Sequence, residues 1–82
     1  MTNPAELKAL TLARIRAHEV FDALWNNSNA PLRRGQAYAR LARKLGLKEV
    51  HIAESDVERC EQIIVASREL LAEATRATKE GE

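Results

Sequence analysis

The sequence predicts an all-α domain of three helices, two long ones with a short one between them. Three observations predict it. Hydrophobic residues are 45% of the chain but aromatics only 4%, so the apolar content is largely alanine and leucine, which favour helix and close helix–helix contact. Gly and Pro number three and two beside 30% charged residues, the profile of a compact helical protein and not of a disordered one. Apolar residues also recur at steps of three and four along two long stretches. At 82 residues the chain is expected to be one domain, 1–82, with a modest core and a C-terminus that frays from Thr78 onward.

The first helix is expected over about residues 4–25. Thr2 or Asn3 can cap it and Pro4 suits its first position. Leu7, Leu10, Ala13 or Arg14, Ala17, Phe21 and Leu24 form its apolar stripe, widened by Ile15, Val20 and Trp25. The run Asn26-Asn27-Ser28-Asn29-Ala30-Pro31 is a cluster of turn formers and stops it.

The second helix is expected over about 33–45, with Gly46 as its C-terminal stop. Ala37, Tyr38, Leu41, Ala42 and Leu45 make one apolar face; Arg33, Gln36, Arg40, Arg43 and Lys44 fall opposite, as a single basic stripe. Leu47 to Ala53 is a connection whose Leu47, Val50 and Ile52 should tuck against the core. The third helix, about 56–78, opens on Ser55-Asp56-Val57-Glu58, which reads as a capping box with Ser55 as cap and Glu58 reaching back. Val57, Cys60, Ile64, Ser67, Leu71, Ala74 and Thr78 follow in its stripe, flanked by Ile63 and Leu70.

A net charge of +1 conceals an uneven distribution. From Pro31 to Lys48 there are six cations, Arg33, Arg34, Arg40, Arg43, Lys44 and Lys48, and no acid, whereas from Glu49 onward nine acids outweigh four cations. With Cys60 as the only cysteine no intramolecular disulfide can form, and there is neither a signal peptide nor the run of roughly 20 apolar residues that a membrane span requires. A cytoplasmic location is expected, the host's cytoplasm if the gene is a phage's, with no membrane partner.

No catalytic residue, cofactor or metal is expected. His18, His51 and Cys60 are the strong nitrogen and sulfur ligands, and none forms a close pair, where structural zinc takes four such ligands. Cys60 lies on an apolar stripe, where a buried inert thiol is the ordinary reading. The chain carries no phosphate loop, so enzyme is not the expectation.

Nucleic-acid binding has support in Arg33, Arg40, Arg43, Lys44 and Lys48, which could neutralise phosphates. Ala37 to Leu47 also reads like the first helix of a helix-turn-helix. Against that, the connection to the next helix is long and the would-be recognition helix opens on Asp56, Glu58 and Glu61. Protein–protein binding is the leading expectation. Leu70, Leu71 and Ala74, toward the far end of a long third helix, either want a partner, including a second copy in a homodimer, or pack back on the first helix.

Three segments, Arg16-Ala17-His18-Glu19-Val20-Phe21-Asp22-Ala23-Leu24-Trp25, Ala37-Tyr38-Ala39-Arg40-Leu41-Ala42-Arg43-Lys44-Leu45-Gly46-Leu47 and His51-Ile52-Ala53-Glu54-Ser55-Asp56, occur in an order and spacing that resemble a known family. Over about residues 5 to 65 the chain resembles the C-terminal helical part of small proteins of phage, plasmid and bacterial genomes called zinc-finger-containing, without the cysteine-rich N-terminal part. Ala53 stands where that pattern has glycine. The resemblance implies a mobile-element setting, in which a small helical module would modulate a host protein or defence system. Among the matched positions His18, Asp22, Trp25, Tyr38 and His51 carry polar tips, expected to form either a hydrogen-bonded cluster at the core's edge or a ligand pocket.

Overall fold

The computed structural model describes the backbone of residues 3–80 and the side chains of residues 3–76. It is an all-α domain of three helices, with no strand among the described residues: α1 (Pro4–Asp22), α2 (Arg34–Leu45) and α3 (Val57–Glu80), with one 3-10 turn (Ile52–Glu54) before the last. The body is elongated, 54 × 24 × 17 Å.

Local chemistry places each boundary. Asn3 caps α1, its Oδ1 accepting from the Ala5 N–H at 2.8 Å, with Pro4 next to it where no N–H is needed. The helix closes at Asp22, three residues short of the expected end. Trp25 N–H turns back to the Asp22 carbonyl at 3.1 Å, Asn27 Oδ1 takes the Asn29 N–H at 2.9 Å, and Leu32 N–H bonds the Leu24 carbonyl at 3.0 Å. Those bonds fold the asparagine run into a tight reversal that holds Leu24 and Leu32 in the core.

At the start of α2, Gln36 Oε1 reaches back to the Arg33 N–H at 3.1 Å. The helix ends at Gly46, whose φ of 71° suits glycine alone among common choices. Gly46 N–H bonds the Arg43 carbonyl and Leu47 N–H the Ala42 carbonyl, the paired bonds of a Schellman stop. Arg43 and Lys44 in the last turn complement the negative end of the helix dipole.

The cap of α3 differs from the sequence expectation by one residue. Asp56, not Ser55, caps: its Oδ1 accepts from the Arg59 N–H at 2.7 Å. Ser55 is committed elsewhere, its hydroxyl donating to the His51 carbonyl at 2.8 Å to close the 3-10 turn, and its own carbonyl accepting from Arg14 Nε at 2.9 Å. Loss of the cap in Asp56→Ala is expected to cost about 1 kcal/mol, seen as a fall of about 5 °C in Tm by circular dichroism; no change in Tm would show that another group caps α3. The helix continues to Glu80, past the Thr78 at which fraying was expected, and Gly81 and Glu82 lie outside the described residues.

The core gathers Ala17, Phe21 and Leu24 from α1 and its end, Ala37, Leu41 and Ala42 from α2, and Cys60, Ile63, Ala66 and Leu70 from α3. Val50 and Ile52 are buried beneath the connection and Leu47 packs against the cluster, as expected. The first half of α1 does not join it. Leu7, Leu12 and Ile15 are 51, 51 and 48% exposed, so Leu7 and Ile15 drop out of the expected stripe; Ile15 lies on the opposite side of the helix from Ala13 and Ala17, which meet the core.

Candidate nucleic-acid interface

The apolar face of α2 seats the helix on the core, which turns its other face outward. Arg33, Gln36, Arg40 and Arg43 are exposed on that outer face at i, i+3, i+7 and i+10, a row about 15 Å long at 1.5 Å per residue. Gln36, Ala39, Arg40 and Arg43 line a shallow dent of about 240 Å³ in it.

The six cations of the middle segment divide into three kinds. Lys44 is bound by α3: Nζ lies 2.7 Å from Glu73 Oε1 and 3.1 Å from Glu69 Oε2. The hydrogen bonds to Glu73 and then Glu69 hold its ammonium above the usual lysine range. Arg34 lies over two rings, its guanidinium carbon 5.4 Å from the Trp25 centroid and 5.5 Å from that of Tyr38. Arg33, Arg40, Arg43 and Lys48 make no ion pair among the described residues. The stripe read from the sequence therefore loses Lys44, which serves the α2–α3 contact, and keeps the other four.

The other expected sites come out differently. His18, Asp22, Trp25, Tyr38 and His51 form no shared hydrogen-bond cluster. Tyr38 packs its ring on Phe21 with centroids 4.6 Å apart, Arg34 joins it to Trp25, and His51 Nε2 turns to Glu49 Oε2 at 3.0 Å. Trp25 Nε1 is buried with no partner among the described residues. The link that organises this region is Arg34, whose position just after Trp25's loop gave no signal in a helical wheel. Leu70 and Ala74 are 6 and 9% exposed and Leu71 packs against the core, so the face proposed for a dimer is used inside the chain itself. A cleft of about 320 Å³ beside the 3-10 turn is lined by Glu49, His51, Glu54, Asp56 and Arg59. Its charged groups are already engaged in part, Glu49 with His51 and Asp56 with the α3 cap.

Fold and surface together define a class: a small three-helix domain with a row of exposed arginines on its short middle helix that make no ion pair among the described residues. The chain belongs to the family described as a zinc-finger-containing domain, which matches residues 5–70 and so reaches from α1 into the second half of α3. No curated protein and no solved structure matches it.

The family description raises zinc directly, and the donors of this chain do not fit it. A structural site takes four nitrogen or sulfur ligands. Among the described residues no group of three or more His, Cys, Asp or Glu is placed to hold a metal ion. Cys60 is fully buried, with Sγ 3.9 Å from the Ser55 carbonyl, and burial pushes its thiol up from the usual range although Arg14 pulls the other way. A thiolate, the form that binds metal, is thus disfavoured there. Cys60 is expected to alkylate with iodoacetamide at pH 8 at least about 100-fold more slowly in the folded protein than in urea, because reaction must await opening of the core. Equal rates would place the thiol at the surface.

Proposed function

We propose that this chain is a non-enzymatic binding module whose working surface is the outer face of α2 and whose partner is nucleic acid, held through its phosphates. One observation carries the reading: Arg33, Arg40, Arg43 and Lys48 stand exposed and make no ion pair among the described residues, while Glu69 and Glu73 of α3 are both taken up by Lys44. Guanidinium groups match phosphate oxygens in charge and in bidentate geometry. Four such contacts on a duplex give a slope of log K against log salt of about −3.6, a loss on the order of 100-fold between 50 and 200 mM. Fluorescence anisotropy of labelled mixed-sequence oligonucleotides across that range tests it; binding that ignores salt, or none at 50 mM, rejects the reading.

A second reading is a protein partner, such as a host protein or defence system that the module modulates. Leu12 and Ile15, one turn apart on α1 and each about half exposed, favour it. A tagged pull-down split into nuclease-treated and untreated halves separates the two readings. One protein enriched equally in both halves supports the second, and enrichment that vanishes with nuclease supports the first.

A further inference from the structure

The α2 surface carries features that bear on which form of nucleic acid would fit it. Proteins that grip single strands rely on aromatic rings on which bases stack. This chain has three aromatic residues, and none is exposed on the row: Phe21 is fully buried, and Tyr38 and Trp25 are half-buried with Arg34 over their rings. A double helix needs no such rings. Its B-form major groove, about 12 Å wide, admits an α-helix, whereas the major groove of A-form RNA is too deep and narrow for side chains to read.

The outer face of α2 has the shape for that groove. Gln36 and Ala39 lie among its arginines, both exposed and with little bulk beyond the one amide, and they line the dent together with Arg40 and Arg43. The helix backbone can thus come close to base edges while arginines on either side reach phosphates. Gln36 is held at the centre of this surface by its bond to the Arg33 N–H, and keeps a second lone pair on Oε1 and two N–H donors. That donor and acceptor pair suits adenine N6 and N7, as arginine suits guanine O6 and N7. The next helix is unsuited to the same task, because Asp56 is spent on its cap and Glu58 and Glu61 stand exposed in its first turns, where phosphates would repel them.

We propose that α2 enters the major groove of duplex DNA, with Gln36 at the base edges and Arg33, Arg40, Arg43 and Lys48 on the flanking phosphates. The proposal rests on the reading of α2 as a phosphate-binding face. Its test uses the purified 82-residue protein with a labelled B-form duplex, the same DNA as a single strand, and an RNA duplex. The duplex DNA is then challenged with methyl green, which occupies the major groove, and with netropsin, which occupies the minor groove. The expected result is preference for duplex DNA, displacement by methyl green, and none by netropsin. Ala39→Leu adds bulk without charge on the outer face, between Gln36 and Arg43, and is expected to weaken duplex binding about 10-fold, the worth of one base contact, with Tm within a few degrees of the parent. Salt-dependent binding that is equal on single strands, that yields to netropsin, or that tolerates Ala39→Leu would overturn the groove placement and leave the phosphate reading standing. Absence of binding to all three nucleic acids at 50 mM salt would overturn both.

Discussion

Phe21→Ala is expected to leave most of the chain unfolded at 37 °C. Phe21 is among the largest side chains with no exposed surface, and its ring meets Tyr38 at 4.6 Å with the planes tilted by 58°. It thereby joins the end of α1 to α2, while Leu24 beside it anchors the reversal between them. Truncation removes the transfer free energy of the ring and leaves a cavity that surrounding helices fill only in part, a loss of about 3–5 kcal/mol. Small domains have total stabilities near the lower end of about 5–15 kcal/mol. One substitution is therefore comparable to the whole margin. Thermal melts followed at 222 nm check it. A fall in Tm below about 5 °C, which corresponds to roughly 1 kcal/mol in a domain of this size, would show that the core closes without the ring. Tyr38→Phe keeps the ring contact and serves as the mild comparison.

The second large effect is expected in the triple variant Arg33→Ala, Arg40→Ala, Arg43→Ala. These side chains are exposed and make no ion pair among the described residues, so the fold should persist with Tm within a few degrees of the parent. Nucleic-acid binding should not persist. Removal of three phosphate contacts lowers the magnitude of the salt slope by about 2.7, leaving little affinity above 150 mM salt. Unchanged affinity and slope in a folded triple variant would reject α2 as the working surface. Lys44→Ala is expected to differ from the triple variant in lowering stability, and to weaken binding by another route. It loses the bridges to Glu69 and Glu73 and so lowers stability, and it uncovers two carboxylates beside the row, weakening an anionic partner without removing a contact to it. The pH dependence follows from the sign of the shift. Lys44 is held above its unfolded value of 10.5, so its contribution is present in full below that pH and is lost as the pH rises through the higher folded value. Cys60 acts in the same direction: its buried thiol resists ionisation, so the unfolded chain releases a proton first and stability declines above pH 9.0.

Much of the architecture is legible from residue order because the signals are local. Asn3-Pro4 opens α1, the asparagine run reverses the chain, and Gly46 closes α2 through a left-handed backbone that other residues resist. Apolar periodicity finds all three helices, and the acid-free segment from Pro31 to Lys48 marks α2 as the cationic one. Family membership is legible in the same segments.

What the sequence by itself determined, then, is the set of helices, most of their ends and the sign of charge on each, since these depend on neighbours within about four positions along the chain. What only the tertiary structure decided is how each face is used. Ser55 and Asp56 are both competent caps; the choice falls to Asp56 because the 3-10 turn takes the Ser55 hydroxyl and Arg14, 41 residues away, takes its carbonyl. Lys44 and Arg43 belong to one basic stripe in a wheel, at its opposite edges, yet only Lys44 is neutralised by α3, and the wheel does not say along which edge α3 passes. Leu70 and Ala74 resemble a sticky face until the rest of the chain covers them, while Leu7 and Ile15 resemble core until it fails to. Burial and ion pairing are properties of which surfaces meet, and periodicity along one helix carries no record of the length or placement of its neighbours.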